Sequence, residues 1–202
     1  HTVSSANRIA YTMKEPIGVV AAISAFNHPF NLAVHQVIPA IAVGCPVIIR
    51  PATQTPMSAI KLVEILKEAG LPNGWAQAVV CDRNAGELLV TSPKTAFFTF
   101  IGSGPVGWYL NSKSSPGTRS ALEHGGVAPV IVEPDADIEA MIPDLVKGGF
   151  YHAGQVCVSV QRIFVHESIA NTVASKIAEK ASKLVVGNQL DPKTEVGPLI
   201  NH

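Results

Sequence analysis

Cys157 sits in the segment Gly149-Phe150-Tyr151-His152-Ala153-Gly154-Gln155-Val156-Cys157-Val158-Ser159-Val160-Gln161-Arg162. A thiol in a glycine-flanked turn, ahead of a β-branched run ending Arg162-Ile163-Phe164-Val165, is placed for nucleophilic chemistry. The thiolate is the reactive form, and it needs an accessible, shaped setting. A free cysteine taken by itself is more often a small buried hydrophobe. Two further groups stand upstream: the amide of Asn27, ahead of His28-Pro29, and the carboxylate of Glu123, ahead of Gly125-Gly126. Taken singly, Asn27 reads as a turn residue and Glu123 as a solvated acid.

Gly102-Ser103-Gly104-Pro105-Val106-Gly107 matches the spacing G-x-G-x-x-G. It follows a strand pattern and can open a helix, where backbone N–H groups favour phosphate oxygens. The acid expected about 20 residues further on could be Glu123, 21 after Gly102. Two facts argue against the usual dinucleotide fingerprint. That motif belongs to the first strand–helix unit, whereas this turn follows the fourth strand pattern, and Pro105 removes one potential donor. Alone, the motif reads equally well as a plain turn.

These groups need a scaffold, and the chain supplies short β-branched runs alternating with helical stretches. Val19–Ile23, Pro46–Arg50, Ala78–Val80 and Thr95–Phe100 read as strands. Asn31–Val43 reads as a helix with Pro39 as a kink. Pro56–Ala69 is amphipathic, with Ile60, Val63, Ile65 and Leu66 on one side and Lys61, Glu64 and Lys67 outside. Thr55 is placed to cap it, Pro56 to start it and Gly70 to end it. Strands without in–out alternation, separated by helices, predict a parallel sheet covered on both faces. After Ser120-Ala121-Leu122-Glu123 the character shifts at Gly125-Gly126. Pro129–Val132 and Arg162–Val165 then read as strands, a helix opens at Asp135-Ala136-Asp137, and another covers Ser168–Leu184. The expected division is an arm or oligomerisation strand over 1–15, one domain over 16–124 and another over 125–202.

Lys plus Arg and Asp plus Glu balance at 15 each. No basic surplus argues for nucleic acid or an anionic membrane, and no apolar run has membrane length. Charged residues are 15% against 47% apolar, below the usual ~25% charged, so much surface is expected in a core or an interface. The three cysteines, Cys45, Cys81 and Cys157, form no CxxC pair. That argues against a disulfide framework or zinc site and for a reducing, cytoplasmic setting. The chain opens on His1 rather than Met, which is expected of a fragment or processed chain.

Four segments carry a more specific signal. They are Phe26-Asn27-His28-Pro29-Phe30; Ile49-Arg50-Pro51-Ala52-Thr53-Gln54-Thr55-Pro56; Phe100-Ile101-Gly102-Ser103-Gly104-Pro105-Val106-Gly107; and Leu122-Glu123-His124-Gly125-Gly126 followed by Gly154-Gln155-Val156-Cys157. In order and spacing the chain resembles the NAD(P)-dependent aldehyde dehydrogenase superfamily from about Glu15 to its end. The resemblance implies a parallel Rossmann-like α/β sheet with helices on both faces, the NAD(P)-binding domain, followed by part of a second α/β catalytic domain.

The resemblance also implies roles. Cys157 matches the nucleophile that attacks the aldehyde to form a thiohemiacetal. Asn27 matches the oxyanion-stabilising Asn, working with the Cys157 backbone N–H. Glu123 matches the general base that activates water to hydrolyse the thioester. Arg50 stands where the family usually carries a Lys at the adenosine ribose, and Thr53 where many NAD-preferring members carry Glu. Thr removes a repulsion toward a 2′-phosphate, and Arg50 can pair with one, so NADP is expected to be tolerated or preferred over NAD. Ser103 resembles the residue that meets the pyrophosphate, and Gly102 and Gly107 the two turn glycines. Ile23, Ser24 and Phe26 are expected to line the cofactor cleft. His124 replaces a common Leu, and Val127-Ala128 a common Lys-Asn pair.

Members of the family are more than twice this long, and no Glu-x-Phe segment, whose Glu grips the nicotinamide ribose, follows any Glu in this chain. The isolated chain is therefore expected to have little or no activity. Sheet edges left without neighbours favour self-association, so a homo-oligomer is expected. The substrate is a small-molecule aldehyde, and His28-Pro29-Phe30-Asn31 resembles the branch acting on lactaldehyde-like or glyceraldehyde-phosphate-like compounds. Three other readings stand beside this one. A coenzyme A-acylating relative is disfavoured by Glu123. A cysteine hydrolase would pair Cys157 with His152, His28 or His124, and a non-catalytic binding module would only pack the thiol.

Overall fold

The computed structural model describes residue 3 and residues 6–201. Five parallel strands form the main sheet: β1 (Val19–Ile23), β2 (Val47–Arg50), β3 (Ala76–Ala78), β4 (Thr95–Gly102) and β5 (Arg119–His124). Their spatial order is β3-β2-β1-β4-β5. Side chains alternate along each strand, so β1 feeds two cores at once. Val20 and Ala22 face one layer, with Val37, Ile49, Leu62 and Val63, while Ala21 and Ile23 face the other, with Val90, Phe98, Phe100 and Leu110. The first layer holds α1 (Pro29–Ala42) and α2 (Met57–Glu68), and the second α3 (Arg83–Thr91) and α4 (Gly104–Lys113). A parallel sheet buried on both faces explains why its strands read as apolar runs.

The chain steps outward from β1 to β2 and β3, then returns to lay β4 along the other side of β1. Ile23 pairs with Arg50 on one side and Phe100 on the other. The strand order thus reverses between β1 and β4. In open α/β sheets, the crevice beyond the carboxyl ends at such a reversal is where ligands bind.

A second, two-stranded parallel sheet pairs β6 (Val130–Val132) with β7 (Ile163–Val165). Between them run α5 (Ile138–Phe150) and a 3-10 turn over Tyr151–Gly154; α6 (Ala170–Ser182) follows. Ile142 and Val146 pack on Val173 to join the two helices. Asp137 caps α5 by accepting from the Ala140 N–H at 3.1 Å.

Several expectations needed correction. The third strand lies at Ala76–Ala78, not Ala78–Val80; Val79 and Val80 are exposed. The buried face of α2 is Ala59, Leu62 and Val63, while Ile65 is exposed. Thr55 does not cap that helix, because its buried hydroxyl has no partner. Two elements lack a counterpart in the sequence reading: α3, capped by Asp82 accepting from Ala85 N–H at 2.8 Å, and β5, an edge strand with four of its six residues exposed. The described residues among 1–15 form no strand.

Candidate functional site

A cleft of about 1170 Å³ opens at the carboxyl ends of β1 and β4. After β1 the chain runs Ser24, Phe26, Asn27 and His28 along its wall before α1 begins at Pro29. After β4, Gly102 and Ser103 border it, and α4 starts at Gly104. Arg50 and Thr53 line one end, and Glu123 and Cys157 the other. Ile23 completes the set, so of the sequence-predicted residues only Gly107 stands outside the lining. Gly107 is instead buried beneath the cleft, with no room for a Cβ beside Phe100 and His124.

Asn27 joins the two parts of the molecule. Its Nδ2 donates to the backbone carbonyl of Gln155 at 2.9 Å, two residues before Cys157. Its Oδ1 accepts from the His28 N–H at 3.1 Å. An Asn amide has two N–H bonds, so one remains after the Gln155 contact. The turn carrying Cys157 is fixed from the other side by the strand end that bears Glu123. Gln161 donates its backbone N–H to Val127 O at 3.0 Å and its side-chain amide to Gly126 O at 3.2 Å. A Cβ on Gly126 would meet the Cys157 carbonyl at 3.7 Å. Cys157 is half-buried and unpaired by any disulfide. Among the described residues, neither its Sγ nor the exposed Glu123 carboxylate has a hydrogen-bonding partner.

At the far end, Arg50 lies against Gly86 of α3, where a Cβ would come within 2.9 Å of its Cδ and Nε. Its Nη2 donates to the Cys81 carbonyl at 3.2 Å and stands 3.5 Å from the Thr53 hydroxyl. Tyr109 on α4 donates to the Glu87 carboxylate on α3 at 3.0 Å, bridging the two helices at the cleft's edge. That hydrogen bond, with the negative charge of Glu87, holds the phenol above its ordinary pKa.

Residues that sequence reasoning missed support the floor. Gln36 is buried, and its Nε2 donates to Ile23 O and to Thr99 O, both at 3.2 Å, tying β1 to β4 at the reversal. A polar residue on the buried face of an otherwise apolar helix was the available signal. His28 and His152, which the sequence offered only as hydrolase partners of Cys157, pack with Tyr151 beside the Cys157 turn, the His28–His152 and Tyr151–His152 centroids each 4.3 Å apart. Partial burial and the neighbouring His28 push His152 below its ordinary pKa, while the Asn27 backbone pulls the other way. Among the described residues no cluster of His, Cys, Asp and Glu is arranged to hold a metal, and no helix is long and apolar enough to cross a membrane.

A thiol, a carboxylate and a free amide N–H therefore face one end of a cleft whose other end offers a guanidinium, with the α4 N-terminus on the wall between. Such a set suits attack on a carbonyl beside a bound phosphate-bearing ligand.

The model of the aldehyde dehydrogenase family matches residues 1–202. The chain is similar to the 3-sulfolactaldehyde dehydrogenase of Priestia aryabhattai, 46% identical over 198 residues, covering 97% of this chain and 41% of that protein. It is also similar to the lactaldehyde dehydrogenase of Methanococcus vannielii, with 42% identity and coverage of 98% and 44%. Among solved structures, the glyceraldehyde-3-phosphate dehydrogenase of Methanocaldococcus jannaschii, complexed with NADP, superposes with a TM-score of 0.89. Its identity is 41%, covering 93% of this chain and 42% of that one. The succinate-semialdehyde dehydrogenase of Burkholderia pseudomallei gives a TM-score of 0.91 at 38% identity, with coverage of 94% and 40%. The chain thus spans about two fifths of the length of the relatives it matches.

Proposed function

Because the chain belongs to the aldehyde dehydrogenase family, we propose that the protein carrying it oxidises a small aldehyde to a carboxylic acid with NAD or NADP, using Cys157 as nucleophile. The observation that carries this reading is the Asn27 amide anchored on Gln155, beside the Cys157 turn, in a cleft that Glu123 also lines. The Cys157 thiolate adds to the aldehyde carbon, forming an S–C bond and an oxyanion. The second Asn27 N–H and the Cys157 backbone N–H stabilise that charge. Hydride acceptance is the chemistry that bound NAD or NADP supplies, and it leaves a thioester on Cys157. Glu123 then takes a proton from water; the water oxygen attacks the thioester carbon, and the S–C bond breaks to regenerate the thiolate.

The residues present fit such a cofactor. Ser103 precedes α4 with its hydroxyl making no cap, and Gly104 and Val106 add N–H groups at a helix start, suited to a pyrophosphate. Arg50 beside Thr53, with no carboxylate at position 53, suits a 2′-phosphate and supports use of NADP. Residues 16–124 would then hold the cofactor and 125–202 contribute the nucleophile. Its substrates are then aldehydes of the lactaldehyde type, in keeping with the relatives' names, and the exposed edge strand β5 favours a homo-oligomer.

The test follows reduced cofactor by absorbance with propionaldehyde and NADP, together with peptide mass mapping of an acyl adduct. Turnover and an adduct at Cys157, both lost in Cys157→Ser, are expected. Equal turnover by Cys157→Ser would sink the reading.

A further inference from the structure

We propose that His152 is a positioning residue of this site: packed against His28 and set in left-handed backbone, it braces Asn27 against the Cys157 turn. The inference rests on the reading of Cys157 and Asn27 given above.

Three successive residues before the nucleophile turn have positive φ. His152 lies at φ 51° and ψ 35°, Ala153 at φ 56° and ψ 33°, and Gly154 at φ 74°. Glycine takes this region freely, whereas alanine does so at a cost and histidine is among the more tolerant residues. A strained run of this kind persists only where its surroundings hold it. Hydrogen bonds and ring contacts hold it here. The His152 carbonyl accepts from both the backbone N–H and the side-chain amide of Gln155, at 3.2 and 3.1 Å. Its ring packs at a tilt against those of His28 and Tyr151, each 4.3 Å away, while those two rings stack on one another at 5.8 Å.

His28 directly follows Asn27, so a ring that fixes His28 fixes the backbone carrying the oxyanion donor. The same turn fixes the Gln155 carbonyl that receives the Asn27 amide. His152 therefore grips both ends of the Asn27–Gln155 hydrogen bond, through its ring on one side and its carbonyl on the other. It is exposed and does not border the cleft, so it touches neither substrate nor cofactor directly. Displacing a catalytic donor by about 1 Å costs up to roughly 100-fold in rate, which gives a brace of this kind a measurable effect.

The test compares two reactions of Cys157. Acylation by p-nitrophenyl acetate forms an S–C bond and expels nitrophenolate through an oxyanion. Alkylation by iodoacetamide expels iodide with no oxyanion. His152→Asn keeps a residue that tolerates left-handed backbone but removes the ring. Acylation is expected to slow about 10-fold, with alkylation changed less than about 2-fold. His152→Phe, which restores an aromatic ring packed against His28, should recover most of the acylation rate. In an Asn27→Ala background, His152→Asn should add nothing further. Unchanged acylation in His152→Asn, a parallel loss of alkylation, no recovery with Phe, or additive losses with Asn27→Ala would each overturn the brace while leaving the parent reading intact. Asn27→Ala acylating at the wild-type rate would overturn both.

Discussion

Gly107 and His124 are packed so closely that no Cβ fits between them. One built on Gly107 would overlap His124 Nε2 and stand 2.9 Å from Phe100 Cδ1. The His124 ring is wedged edge-on between Phe100 and Trp108, with centroids 6.1 and 5.6 Å away. Gly107→Ala is therefore expected to destabilise the protein by about 1–3 kcal/mol. Gly107→Ala with His124→Ala should recover part of that loss, because the second change removes the nearer of the two obstructing rings. Urea unfolding midpoints of the wild type, Gly107→Ala, His124→Ala and the double variant decide it.

That contact marks where the sequence stopped being informative. The glycine spacing correctly placed a strand, a turn and a helix, since Gly102 ends β4 and Gly104 opens α4. It did not tell that Gly107 serves packing under the cleft and not its lining, because the nearest obstructing atom comes from His124 on β5, 17 residues away in sequence. Strand β5 itself was missed for a related reason. Its residues are mostly exposed at a sheet edge, so no apolar run announces it. Helix α3 was missed although Asp82 is a regular N-cap, because its buried positions are only Gly86 and Val90 and leave little periodic signal. In α2 the apolar residues at 60 and 65 drew the face the wrong way, since Ala59 contributes to the core without a strong hydrophobic signature. Asn27, Glu123 and Cys157 meet one cleft because the strand reversal gathers loops from distant parts of the chain. The brace of His28, Tyr151 and His152 depends on left-handed backbone at His152 and Ala153, which side-chain types alone do not disclose.

Thr53→Glu is expected to reverse cofactor preference. The new carboxylate would lie beside Arg50, whose Nη2 is 3.5 Å from the present Thr53 hydroxyl. It would compete for the guanidinium and repel a 2′-phosphate. NADP affinity should fall about 10- to 100-fold, with NAD affinity equal or improved. Equilibrium titration by protein fluorescence measures both, and a matched loss for the two cofactors would contradict the assignment of this end of the cleft.

Glu123→Gln keeps the size of the side chain and removes its basicity. Acylation of Cys157 should proceed, while hydrolysis of the thioester slows by about 100-fold or more. Rapid mixing with an aldehyde and NADP should then give a burst of reduced cofactor, followed by a slow steady state. A uniform slowing without a burst would remove Glu123 from the hydrolytic step. An undiminished steady state on adding coenzyme A would instead favour thioester transfer to a thiol.

His152 gives stability a pH dependence of known sign. Its folded-state pKa lies below the ordinary 6.5, through burial first and the adjacent His28 second. As pH falls, the unfolded chain takes up this proton before the folded one. The neutral ring's contribution is thus complete above 6.5 and is lost as pH drops through the lowered folded value. Urea midpoints at about pH 7.5 and about pH 5.5 should therefore differ more for the wild type than for His152→Phe. An equal acid loss in both proteins would rule out this residue as the source.

Gly86→Ala separates folding from binding. Gly86 is a buried position within α3, where alanine is the better helix former by about 1 kcal/mol. The added Cβ would stand 2.9 Å from Arg50 Cδ and Nε, but these belong to a flexible side chain that can swing aside. Stability should accordingly hold or rise slightly. The displaced guanidinium would leave the Cys81 carbonyl, which it meets now at 3.2 Å, and lose its fixed aim beside Thr53. NADP affinity is then expected to fall about 5-fold, the scale of one charge-assisted hydrogen bond, while NAD affinity changes little. Opposite signs for the unfolding midpoint and the NADP affinity are the signature of Arg50 being aimed by α3; a fall in both would mean that the helix itself had moved.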